Sequence, residues 1–118
     1  MKRLTNKEEE AMNHFWEHGS MFVKDMLELY DAPKPHFNTL STVVRGLEEK
    51  GYVAHRAFGS TYQYYPTVSR EEFSKRTLKS VISKYFNNSY LGAVSSLVEE
   101  EDLSLDDLKK LIDQVERG

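Results

Sequence analysis

A chain of 118 residues, 39% apolar and 30% charged, has room for one domain, or one domain with a small appendage, and the composition of an ordinary soluble protein. Its 16 Lys and Arg against 19 Asp and Glu leave a formal charge of −3, so bulk charge does not make it a nucleic-acid binder and any such role needs local positive charge. The absence of cysteine excludes disulfides, thiol chemistry and thiolate metal sites, and apolar runs of a few residues fall far short of the roughly 20 that a membrane helix needs.

The opening MKRLTNKEEEAM turns acidic after two basic residues and has no apolar h-region. No secretion signal is expected, and the localisation reads as cytoplasmic. Thr5-Asn6-Lys7-Glu8 fits a capping box. Ala11, Met12, Phe15 and Trp16 then form the apolar stripe of a first helix, which Gly19 ends. Val23, Met26, Leu27 and Tyr30, spaced i, i+3, i+4 and i+7, predict a second, shorter helix. The prolines of DAPKPHF mark a turn or short loop.

Residues 38–51, NTLSTVVRGLEEKG, predict a third helix whose buried face is Leu40, Val43, Val44 and Leu47, with Gly51 in the C′ position that glycine favours. The period then changes. Tyr52 to Phe58 is strand-like, Gly59-Ser60 is a turn, Thr61 to Tyr65 is β-branched and aromatic, and Pro66 stops it, so this stretch reads as a β-hairpin. Three helices followed by a hairpin is the winged helix-turn-helix plan, in which the hairpin is the wing and the third helix enters the DNA major groove.

The remainder reads as helical. Ser69-Arg70-Glu71-Glu72 fits a second capping box, opening a helix with Phe73, Leu78, Val81, Ile82, Tyr85 and Phe86. Asn87-Asn88-Ser89 breaks it. Leu91, Val94, Leu97 and Val98 mark a fifth helix, and Ser104 caps a sixth with Leu105, Leu108, Leu111, Ile112 and Val115. The expected fold is mainly α with a small β-hairpin. Residues 1–68 would be a winged helix-turn-helix DNA-binding domain and residues 69–118 a helical dimerisation region. A C-terminal stretch this short cannot bury so much apolar surface alone, whereas two copies would share one core.

The third helix carries the functional argument. At about 100° per residue, Asn38, Ser41, Thr42 and Arg45 share the face opposite the apolar one. Exposed helix faces are usually rich in Glu and Lys. This one holds short hydroxyls, an amide and one Arg, the groups that bond base edges and phosphates. Between Pro33 and Val68 the chain has Lys34, Arg45, Lys50 and Arg56, with His36 and His55, against only Glu48 and Glu49. The alternative is a solvated face with an Arg45–Glu49 i, i+4 pair. His14-Phe15-Trp16-Glu17-His18 matches an H-x-x-E-H zinc motif, but nothing nearby supplies a third ligand. No enzyme activity, cofactor or metal is expected.

The sequence resembles the penicillinase-repressor family, the BlaI/MecI/CopY-type winged-helix regulators. The resemblance spans nearly the whole chain and rests on LTNKEEEAMNHFWEHG, NTLSTVVRGLEEKGYVAHR, GSTYQYYPTVSREEF and EEEDLSLDDLKKLI in that order. It implies a homodimeric repressor that reads a dyad-symmetric operator in double-stranded DNA, of a β-lactam-resistance-like or related stress operon. It also implies relief of repression through a membrane-bound sensor protease. By position the family's DNA-contacting residues fall on Asn38, Thr39, Ser41 and Thr42. The full expectation is that Thr39, Ser41, Thr42 and Arg45 read bases, Asn38 assists, and Lys34 and Arg56 grip phosphate, with Ser60 at the wing tip. Leu78, Val81, Ile82, Tyr85, Leu91, Val94, Leu97, Val98, Leu108, Leu111 and Ile112 would close the dimer.

The chain departs from the family at Gly46, where Arg is usual, and at Ser60, where a basic wing residue is usual. At Ser96–Leu97 it departs from the usual Asn–Phe cleavage bond. The missing cysteines exclude the copper-sensing variant. Net acidity, Gly46 and the uncharged wing tip also fit a winged helix used for protein contacts without DNA.

Overall fold

The computed structural model describes residues 2–100 and 105–117, without the side chains of 99, 100, 105, 107, 108, 111, 112 and 115. The element order is α1 (Asn6–His18), β1 (Met21–Phe22), α2 (Val23–Leu27), α3 (Phe37–Glu49), β2 (Val53–Phe58), β3 (Thr61–Pro66), α4 (Arg70–Tyr85), α5 (Tyr90–Glu100) and α6 (Leu105–Arg117). The chain divides into two compact units, Met1–Arg70 and Glu71–Gly118. The first is the winged helix: three helices and a small antiparallel sheet.

The capping box forms as the sequence predicts. Glu8 N–H donates to Thr5 Oγ1, and Thr5 N–H donates to Glu8 Oε1 at 2.8 Å. Ala11, Met12 and Phe15 of α1 meet Met26 of α2 and Leu40, Val44 and Leu47 of α3 in one core, closed by Tyr52, Val53 and Tyr64 from the sheet side. This is the burial that the 3.6-residue spacing called for. Trp16 stands at the core edge, donating its indole N–H to the Val68 carbonyl at 2.8 Å.

Two elements differ from expectation. The helix α2 is only five residues long and stops at Leu27, so Tyr30 is not part of it. The chain beyond it tightens into three-residue bonds, Leu29 N–H to Met26 O and Tyr30 N–H to Leu27 O. The hairpin gains a third strand. Met21 and Phe22 pair with Tyr64 and Gln63, giving the order β1-β3-β2. Two residues carry no readable period; they form a strand because the free edge of β3 takes them. The wing forms around the predicted Gly59-Ser60 turn, with Phe58 opposite Thr61, and β3 extends through Pro66, which pairs with Val53.

In the second unit Ile82 and Ala93 are buried, with Leu78, Phe86 and Tyr90 packed against them. The break between α4 and α5 is where Asn87 and Asn88 take positive φ, as asparagine tolerates. The predicted cap Ser104 lies outside the described residues.

Candidate nucleic-acid interface

The α3 helix presents two faces of opposite character. Leu40, Val44 and Leu47 are buried and Val43 is half-buried, while Asn38, Thr39, Thr42 and Arg45 are exposed and Ser41 is partly so. The N-terminus is capped by His36, whose Nδ1 accepts from Asn38 N–H at 3.2 Å. That fixes the imidazole with its acceptor nitrogen toward the helix. The exposed face is ordered along its length. Thr42 Oγ1 donates to the Asn38 carbonyl at 2.9 Å and accepts from the Arg45 guanidinium at 3.3 Å. Among the described residues no ion pair joins Arg45 to Glu49.

The basic residues expected around this face divide into different tasks. Arg56 is exposed on β2, its guanidinium 4.8 Å from the Tyr65 ring centre. Lys34 has its ammonium bonded to the carbonyls of Leu27, Glu28 and Tyr30 at 3.0–3.2 Å, at and just beyond the C-terminal end of α2. Its three N–H donors are thereby engaged. Lys50 turns inward, to Glu8 Oε1 at 2.6 Å and the Arg3 carbonyl at 2.9 Å. Glu8 is only 6% exposed. Burial alone would push its carboxyl up. Lys50, by hydrogen bond and charge, and the Thr5 N–H overturn this, and its pKa lies below the ordinary value.

Gly46 belongs to the same arrangement. A Cβ there would stand 3.1 Å from Glu8 Oε2, so the missing side chain makes room for the carboxylate under α3. From the sequence this position is only a departure from the family's usual Arg, because the neighbour that explains the glycine lies in α1.

The wing meets the last turn of α3 through His55. Its Nδ1 is 2.6 Å from Glu48 Oε2. Its ring stacks on Tyr62 with centroids 4.2 Å apart and planes 23° apart. At the wing tip Phe58 is exposed and packs edge-on against Phe22, 5.8 Å between centroids, beside the exposed Ser60. His55 and Glu48 were not among the predicted site residues; a pairing across two elements has no signature in spacing.

The H-x-x-E-H stretch is used structurally. His14 lies against Tyr30 with ring centroids 4.7 Å apart, and His18 Nε2 is 3.9 Å from Glu17 Oε2. Burial and the Glu10 charge push the Tyr30 hydroxyl up to about 12. Among the described residues no group of three or more His, Cys, Asp or Glu could hold a metal ion, and no helix is long and apolar enough to cross a membrane.

Of the residues expected at a dimer interface, Ile82 and Val94 are buried within the chain and Leu78 is partly buried. Val81, Tyr85, Leu91, Leu97 and Val98 are exposed, Tyr85 and Leu91 to 70%. The side chains of Leu108, Leu111 and Ile112 lie outside the described residues.

The sequence model of the penicillinase repressor family matches residues 4–117. The methicillin resistance regulatory protein MecI of Staphylococcus aureus strain N315 is 27% identical over 109 residues, covering 92% of this chain and 89% of its own length. MecI of Staphylococcus epidermidis gives the same figures, 27% identity over 92% and 89%, and MecI of Mammaliicoccus sciuri is 26% identical over the same shares of 92% and 89%.

Proposed function

The chain belongs to the penicillinase repressor family, and on that premise we propose that it is a homodimeric transcriptional repressor that reads a dyad-symmetric operator with α3. The observation that carries this reading is the exposed face of α3. Asn38, Thr39, Ser41, Thr42 and Arg45 form a row of short donors and acceptors ending in a guanidinium, held over the buried Leu40, Val44 and Leu47. Short side chains let the helix sit deep in a groove. The Thr42 bridge between the Asn38 carbonyl and Arg45 orders the guanidinium before DNA arrives. Phosphate contacts come from Arg56 and from backbone N–H groups near the α3 N-terminus and at Ser60. The operon class suggested by the relatives' names is β-lactam resistance or a related stress response. A membrane-bound sensor protease would lift repression. Ser96–Leu97, the bond at the family's cleavage position, is in α5 with both side chains exposed.

The reading of a second copy is supported by the apolar residues exposed on α4 and α5: Val81, Tyr85, Leu91, Leu97 and Val98. Two reading helices related by a twofold axis match two half-sites.

The test is a gel shift on an operator duplex. Arg45→Ala is expected to weaken binding by about 1–3 kcal/mol, the cost of losing a bidentate base contact. Affinity of the unmodified chain should fall steeply with salt, as phosphate contacts require. Unchanged affinity in Arg45→Ala removes Arg45 from the reading set. Salt-independent binding favours a protein-contact role for the winged helix instead.

A further inference from the structure

Arg45 and Glu48 are three residues apart on α3, neighbours of opposite charge on a helix surface that lie within reach of each other. Here the carboxylate turns away. Glu48 Oε2 lies 2.6 Å from His55 Nδ1 on the wing, while the Arg45 guanidinium rests on the Thr42 hydroxyl at 3.3 Å. The carboxylate accepts, so the imidazole Nδ1 carries the hydrogen.

His55 has ring contacts on two sides. Its ring stacks on Tyr62 at 4.2 Å and meets the ring of the buried Tyr64 at 5.6 Å. In the sheet His55 stands opposite Tyr64, whose strand is paired on both sides. The Glu48 and His55 side chains are about one-third exposed, 31% and 34%, so their bond is partly shielded from water. Both Glu48 and Arg45 act on the Tyr64 hydroxyl, the first adding to the rise that burial causes and the second offsetting part of it, so both charges lie near one wing residue.

We propose that His55 is a positioning residue for DNA binding: by holding Glu48 against the wing, it keeps the reading helix's own acid off Arg45 and away from the approaching phosphates. Without the bond, Glu48 is free to pair with Arg45 and to repel DNA at the end of the reading face. The inference rests on α3 being the DNA-reading helix.

The experiment uses the full-length chain and a labelled duplex that it selects from a random-sequence pool, with binding read by fluorescence anisotropy. His55→Phe keeps a ring to stack on Tyr62 and removes the N–H donor. It should bind about three- to tenfold more weakly. Adding Glu48→Gln should return affinity to within about twofold of the unmodified chain, and Glu48→Gln alone should bind as well or better. In an Arg45→Ala background, His55→Phe should cost clearly less than it does alone. His55→Gln, which retains a donor, should stay near the unmodified chain. If His55→Phe does not fold, as judged by circular dichroism, His55→Val takes its place in each comparison.

A purely structural role for His55 predicts a loss that Glu48→Gln cannot rescue, and that result overturns the proposal. So does a His55→Phe variant that binds normally. A chain that selects no duplex, or that ignores Arg45→Ala, overturns the reading of α3 itself and this inference with it.

Discussion

Gly46 lies over the Glu8 carboxylate beneath α3. Helix propensity disfavours glycine there by roughly 1 kcal/mol relative to alanine. The opposing factor is Glu8, whose Oε2 would be 3.1 Å from the new Cβ and whose Oε1 is tied to both Thr5 N–H and Lys50. Gly46→Ala is therefore expected to stabilise the unmodified chain by well under the roughly 1 kcal/mol that it gives in a Glu8→Ala background, where the crowding is gone. Urea denaturation of the four combinations measures the coupling. Glu8 also sets an acid limit. Its folded pKa lies below the 4.5 of a free glutamate, so the stabilisation is complete above that value and is lost as pH falls through the folded pKa. Glu8→Gln should be less stable than the unmodified chain by about 1–3 kcal/mol at neutral pH, and the two stabilities should converge in acid. Parallel curves would show that the carboxylate charge contributes nothing.

At the scale of elements, Lys34 and Arg56 separate two kinds of basic residue that look alike in a sequence. Lys34 gathers three carbonyls at the end of α2, so Lys34→Met should lower stability by about 1 kcal/mol while leaving the salt dependence of operator binding unchanged. Arg56→Ala should do the reverse, reducing the salt slope by about 1 with little effect on the melting temperature. An altered slope in Lys34→Met would return that residue to the phosphate contacts. The same contrast explains what was legible beforehand. The α1 and α3 helices, the wing and its turn were readable because period, caps and Gly59 are local signals. The α3 face was readable because residue type and spacing alone define it. The strand β1 was not, since two residues have no period. The Glu48–His55 contact was not either, because folding alone brings its partners together from two elements. The end of α2 and the His36 cap are local, but a tightened turn after Leu27 and a histidine cap have no distinct sequence signal.

At the scale of the molecule, the described residues of the second unit leave Val81, Tyr85, Leu91, Leu97 and Val98 exposed, the apolar side chains on which the proposed dimer rests. Leu91→Glu, at a side chain 70% exposed in the single chain, should cost little within one copy yet halve the mass seen in sedimentation and weaken operator binding by at least about tenfold. An unchanged mass would move the interface away from α5. The two units also carry their aromatic chromophores unequally. The sole tryptophan, Trp16, belongs to the first unit, where its indole is fixed to the Val68 carbonyl and the Arg70 guanidinium lies 5.6 Å from its ring centre. Its emission therefore reports melting of the reading unit, while ellipticity at 222 nm also counts α4, α5 and α6. Following both signals through one urea titration will tell whether the two halves melt together or in sequence, with no label attached.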